Sequence, residues 1–120
     1  MSVTAPNALR ARIVDGHVEQ VLDNLIDNAV PACSSGGSID LAAARCDGHV
    51  VLTVTDSGPG MTAKERSHAF DPFWRGAHDR SGTGLGLAIV EQLARANGGS
   101  VPLAESATGG IEARVVLDPA

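Results

Sequence analysis

Residues 39–60 read IDLAAARCDGHVVLTVTDSGPG, and three signals in that stretch decide the architecture. Asp47-Gly48 is a turn pair that tolerates positive φ and matches the twist of its flanks, so Ile39 to Arg45 and His49 to Thr55 form a hairpin. Val50 to Thr55 alternates as a half-buried strand does. Asp56-Ser57-Gly58-Pro59-Gly60 then turns the chain, which leaves the Asp56 carboxylate at the sheet edge beside backbone free of bulky side chains.

Upstream of the hairpin, Val18, Val21, Leu22, Leu25, Ile26, Ala29 and Val30 recur at helical spacing and predict one long amphipathic helix. Pro31 lacks an amide hydrogen and disfavours helix in the residue before it, so the helix ends near Val30 and Ser34 to Gly37 form a loop. A strand is expected near Leu9 to Val14. Downstream, a short helix starts near Ala63, and a second long one runs from about Gly84 to Ala96 with Leu85, Ala88, Ile89 and Leu93 on its buried face. Asn97-Gly98-Gly99 stops it. Strands near Val101 to Glu105 and Ile111 to Leu117, joined at Gly109-Gly110, complete a two-layer α/β sandwich of α+β class, one sheet with helices on one face.

A chain of 120 residues, 43% hydrophobic, suits one compact domain without staples or metals. A net charge of -5, a single lysine and scattered arginines lack the basic stripe of a nucleic-acid binder. Cys33 and Cys46 form no C-x-x-C pair, and His17, His49, His68 and His78 lack zinc-site spacing. His17 reads as a surface residue. No signal peptide or bilayer-length apolar run is present, so the chain is expected to be soluble and cytoplasmic.

Four local patterns carry chemistry. Asn24 and Asn28 stand one turn apart on the edge of the first helix's apolar stripe, although Asn is a poor helix former. An amide oxygen suits Mg²⁺; alternatively the pair lies on a solvated flank beside Asp23 and Asp27. The Asp56 carboxylate is placed to accept the exocyclic amine of adenine, or else simply caps its own turn. Phe70-Asp71-Pro72-Phe73-Trp74-Arg75 holds both phenylalanines and the only tryptophan; the aromatics can anchor a segment, with Arg75 reaching a phosphate, or pack in the core. Gly82-Thr83-Gly84-Leu85-Gly86-Leu87 sets three alternate glycines directly before a helix, where close backbone approach and free amides favour phosphate. It is neither a P-loop, since the only lysine precedes Glu65, nor a dinucleotide fingerprint, whose third glycine falls one residue later. Residues 76–81 before it have the composition of a short lid.

In this order the patterns resemble the N, G1, F and G2 boxes of the sensor histidine kinase catalytic domain, in the ATPase superfamily shared with gyrase, MutL and heat-shock chaperones. The resemblance covers roughly residues 9 to 117. It implies the Bergerat ATP-binding fold, a mixed and mostly antiparallel sheet. It also implies Mg²⁺ ligation by Asn28 with Asn24 lining the same site, adenine reading by Asp56 with Gly58 and Gly60 beside the base, and a phosphate cradle at Gly82, Thr83, Gly84, Leu85 and Gly86. Phe73 would border the nucleotide, and Asn24, Asn28 and Arg75 would serve catalysis. The γ-phosphoryl group of ATP would pass to a histidine on a separate dimerisation domain, and onward to a response regulator receiver domain. None of the four histidines matches a phosphoacceptor pattern, so residues 1–120 are expected to form the catalytic domain alone, its parent protein anchored in the plasma membrane.

Pro31 and Ala32 stand where the family has a basic residue and often an aromatic or His. The missing cationic contact to phosphate is expected to cost about 1.5–3 kcal/mol unless Arg75 or Arg80 replaces it. An anti-sigma-factor serine kinase of the same superfamily would lack the aromatic box. Hydrolysing relatives usually carry Glu where Asn24 stands, and Asn cannot abstract a proton from water. A degenerate nucleotide-binding module without catalysis is the remaining alternative.

Overall fold

A computed structural model describes residues 2–4, 10–30, 36–71, 86–107 and 109–119, with side chains from residue 10 onward. The elements in order are β1 (Ser2–Thr4), α1 (His17–Ala29), β2 (Ile39–Cys46), β3 (His49–Asp56), α2 (Ala63–His68), α3 (Gly86–Ala96), β4 (Leu103–Glu105) and β5 (Ile111–Leu117). They form one sheet of order β1-β2-β3-β5-β4, antiparallel except where β1 lies parallel to β2. This is the α+β sandwich expected.

The β2–β3 hairpin turns at Asp47 and Gly48, whose φ values of 51° and 79° are the pair of left-handed residues that a two-residue hairpin loop requires. Pairing Leu41 with Val54 and Ala43 with Leu52, and Val54 with Ala113 and Leu52 with Val115, puts the apolar members of three strands on one face. Ile111, Ala113, Val115 and Leu117 of β5 are all buried there, while Arg114 points to solvent. Helices α1 and α3 cover this face and each other: Val21, Leu25 and Ala29 of α1 meet Leu87, Val90 and Ala94 of α3 in one core. Full burial of a side chain such as Leu25 contributes about 1.5–3 kcal/mol. No helix among the described residues is long and apolar enough to cross a membrane.

The helix ends follow local rules. α1 stops at Ala29 with Val30 as its cap, just ahead of Pro31. α2 starts on a reciprocal capping box, in which Thr62 Oγ1 accepts the Glu65 amide at 3.1 Å and Glu65 Oε1 accepts the Thr62 amide at 2.9 Å. At the end of α3, Gly98 adopts φ 76°, and the Gly98 and Gly99 amides donate to the carbonyls of Arg95 and Ala94. That double closure is a Schellman motif, available because glycine has no Cβ to oppose the left-handed conformation.

Four expectations are corrected. Residues 10–14 form no strand: Ala11 makes one isolated bridge to Pro119, and the Arg12 amide reaches the Asp118 carbonyl at 2.8 Å. Pro119, opposite Ala11, has no amide to extend a ladder. β4 begins at Leu103 rather than Val101 for a related reason, since Pro102 offers only its carbonyl, which accepts the Arg114 amide. The face of α3 is also rotated: Leu87, Ala88, Val90 and Ala94 are buried while Ile89 and Leu93 are half-buried. Because α3 packs against both α1 and β5, its apolar surface is wider than one stripe; Leu85 lies outside the described residues.

His17 is half-buried rather than a surface residue, because Asn97 ties the start of α1 to the end of α3. Asn97 Oδ1 accepts the Val14 amide at 2.8 Å, and its Nδ2 donates to the Leu93 carbonyl at 2.7 Å and lies 3.0 Å from His17 Nδ1. The two backbone bonds settle which way the amide faces, so His17 Nδ1 acts as the acceptor. Asn97→Ala is expected to lower unfolding stability by about 1–3 kcal/mol, read as a reduced denaturant midpoint at unchanged slope.

Candidate functional site

Asn28 lies on the inner side of α1, one turn after Leu25 and beside Ala29, and is only 7% exposed. Among the described residues its side-chain amide makes no hydrogen bond. A buried amide left unpaired costs about 1–3 kcal/mol, so this side chain is placed to be completed by a group beyond the described residues or by a ligand. Asp23 and Asp27, by contrast, are exposed. The solvated-flank reading therefore holds for the aspartates and fails for Asn28.

Asn24, one turn earlier, is half-buried and donates from Nδ2 to the Gln20 carbonyl at 2.8 Å. This leaves its Oδ1 toward α3, where a Cβ built on Gly86 would stand 3.6 Å away. The last glycine of the Gly82–Gly86 run thus begins α3 directly against Asn24. The first turn of α3 carries no acidic residue to compete for its free amides.

At the end of the central strand β3, Asp56 is 3% exposed. Its Oδ1 accepts the Gly58 amide at 3.0 Å, as a turn-capping aspartate does, and also the Ile111 amide at 3.2 Å. The Ser106 hydroxyl donates to its main-chain carbonyl at 3.1 Å. Asp56 therefore caps its own turn, and the Gly58 and Ile111 amides together fix the plane of its carboxylate. Gly60 has φ 74°, and a Cβ there would overlap the Gly109 carbonyl; one on Gly110 would overlap Asp56 itself. Two glycine-bearing turns can approach this closely only without side chains. Arg66 Nη1 donates to the Met61 carbonyl at 2.8 Å and braces the far side of the Gly58–Gly60 turn.

Phe70 is half-buried against the core, and Asp71 Oδ2 lies 3.0 Å from His68 Nδ1. Phe73, Arg75, Gly82, Thr83, Gly84 and Leu85 fall outside the described residues, as do Pro31 and Ala32. Sequence reasoning singled out Asn24, Asn28, Asp56, Gly58, Gly60 and Gly86 but missed Ser106 and the Ile111 amide. Gly109-Gly110 was the available signal, read only as a turn.

Asn28 is thus buried on α1 with no side-chain hydrogen bond among the described residues, Gly86 opens α3 beside Asn24, and Asp56 is held at the end of the central strand β3 next to glycine-bearing turns. The chain belongs to the histidine kinase-, DNA gyrase B- and HSP90-like ATPase family, whose profile matches residues 14–120, and it carries the fold of histidine kinase catalytic domains. Among its relatives, sensor protein RstB of Escherichia coli strain K12 is 38% identical over 91% of this chain and 28% of its own length. The solved structure of the mycobacterial sensor histidine kinase MprB matches with a TM-score of 0.85 at 30% identity, covering 98% of this chain and 82% of that one. Full-length ShkA in complex with AMPPNP matches with a TM-score of 0.79 at 32% identity, over 99% of this chain and 25% of that one. The chain spans about a quarter of the length of the sensor kinases RstB and ZraS that it matches.

Proposed function

We propose that residues 1–120 act as one ATP-binding catalytic domain that holds Mg²⁺-ATP and donates the γ-phosphoryl group to a histidine on a separate dimerisation domain of the same kinase. The observation that carries this reading is Asn28, buried at 7% exposure with no hydrogen-bond partner among the described residues. Its neutral oxygen is a hard donor suited to Mg²⁺, and Asn24 lines the same side of α1. When bound, Mg²⁺ supplies neutralisation of the phosphate charge.

Asp56 accepts the exocyclic amine of adenine, and Gly58 and Gly60 let the base lie close to the backbone. The run Gly82, Thr83, Gly84, Leu85 and Gly86 cradles the phosphates with its amides and those of the first turn of α3. By the same motif match, Phe73 borders the nucleotide and Arg75 neutralises charge on the transferring group. The bond from the γ-phosphorus to the bridging oxygen breaks as a bond to the imidazole nitrogen forms, and ADP leaves. Catalysis by these residues is positioning and electrostatic stabilisation. A response regulator receiver domain then takes the phosphoryl group, and the reaction proceeds on the cytoplasmic side of the membrane that anchors the parent protein.

Calorimetric titration with ATP and GTP, each with and without Mg²⁺, tests the site. ATP is expected to bind more tightly than GTP, and Mg²⁺ to strengthen it. Equal affinity for the two bases would remove the role given to Asp56. Supplying a dimerisation domain and labelled ATP tests the transfer, which should yield an acid-labile, base-stable phosphate. ATP binding without such a product would leave a nucleotide-binding module.

A further inference from the structure

The β3–β5 ladder runs from Val50 opposite Leu117 to Thr55 opposite Glu112, and its next rung would set Asp56 against Ile111. There main-chain pairing gives way to side chains. The Ile111 amide goes to Asp56 Oδ1, and the Asp56 carbonyl goes instead to the Ser106 hydroxyl. Ser106 is 8% exposed and belongs to none of the four boxes. A tight turn holds it in place: its amide donates to the Gly110 carbonyl at 2.8 Å, and its carbonyl accepts the Gly109 amide at 3.0 Å. Gly110 packs so closely on the Asp56 backbone that a Cβ could not fit.

We infer that Ser106 is a positioning residue for adenine recognition: by occupying the Asp56 main-chain carbonyl, its hydroxyl reserves the Ile111 amide for the Asp56 carboxylate. This rests on the reading of Asp56 as the adenine acceptor. Without the hydroxyl, two acceptors of one residue, the buried carbonyl and the carboxylate, compete for one N–H, since a buried carbonyl does not stay unpaired when a donor is adjacent. The carboxylate then loses one of the two amide bonds that set its plane, and the Gly58 amide alone lets it turn. Selectivity for the exocyclic amine falls, while contacts to the phosphates stay.

The test compares ATP with purine riboside triphosphate, which lacks only that amine, by titration into the 120-residue chain and its Ser106→Ala variant. The wild-type preference for ATP is expected to fall at least about tenfold in the variant, the weight of one hydrogen bond to a charged group, with affinity for the amine-free nucleotide nearly unchanged. A purely structural role would weaken both nucleotides alike. An unchanged preference in the variant overturns the role of Ser106 alone. No preference in the wild type overturns the role of Asp56 and this inference with it. Should the variant not fold, through-hydrogen-bond NMR coupling in the wild type decides. Coupling from the Ile111 amide nitrogen to the Asp56 carboxyl carbon supports the inference, and coupling to the Asp56 main-chain carbonyl carbon overturns it.

Discussion

Asp56→Asn is expected to leave the fold nearly intact while lowering ATP affinity by roughly a hundredfold, whereas Asp56→Ala loses both. An Asn side chain keeps one oxygen, which can still accept the Gly58 and Ile111 amides that Oδ1 accepts now. Its NH₂ group then faces the adenine amine, donor against donor, in a site that is 3% exposed. Losing a charge-assisted hydrogen bond and adding that opposition amounts to about 3 kcal/mol, or roughly a hundredfold. Asp56→Ala removes the acceptor as well and strands two backbone amides, each costing about 1–3 kcal/mol, so its thermal midpoint should also drop. Calorimetry beside thermal unfolding separates the two. An Asn variant that binds ATP within about threefold of the wild type would mean that the carboxylate only caps its turn.

Asn28→Ala should behave in the opposite way, losing function without losing stability. Most buried polar residues destabilise a fold when truncated, because they leave a partner unpaired. Asn28 has no side-chain partner among the described residues, so removing its amide relieves a desolvation cost that offsets the small cavity left behind. The nucleotide-free variant should therefore unfold at or above the wild-type temperature. In the presence of ATP, the strengthening of binding by Mg²⁺ should disappear, and phosphoryl transfer to a supplied dimerisation domain should fall at least about a hundredfold, as when a charge-stabilising group is removed from a transition state. A variant that is destabilised by several kcal/mol yet keeps its Mg²⁺ dependence would show that Asn28 is a packing residue.

The contrast between Asp56 and Asn28 also shows where sequence reading reached and where it ended. Both residues were singled out from the chain alone, and for each a bland local reading competed with a chemical one. For Asn28, the competing reading failed because α3 and the sheet bury that side of α1, which no pattern within residues 17–29 states. For Asp56, the turn-capping reading holds, and what no local pattern states is that the same oxygen atom accepts the amide of a strand 55 residues away.

Misreadings had the same origin. A strand was expected near Leu9 to Val14, yet a strand needs a partner with free donors and acceptors, and Pro119, opposite Ala11, has no amide to give. The apolar face of α3 was assigned as a single stripe, whereas two neighbours bury it from two directions. Ser106 drew no notice because its importance lies entirely in a carbonyl 50 residues earlier in the chain.

Short-range physics made four features legible along the chain: the Asp47-Gly48 hairpin, the span of α1, the glycine stop of α3 and the order of the four boxes. Steric limits on φ, the missing amide of proline and side-chain periodicity act within a few residues, so a few residues suffice to encode them. Long-range packing buries Asn28 with no side-chain hydrogen bond among the described residues, sets Asn24 against Gly86, ties His17 to α3 through Asn97, and holds Asp56 with Ser106 and Ile111. Those facts depend on which distant segments share one interior, where every polar group must find its partner across the fold or wait for a ligand to supply one.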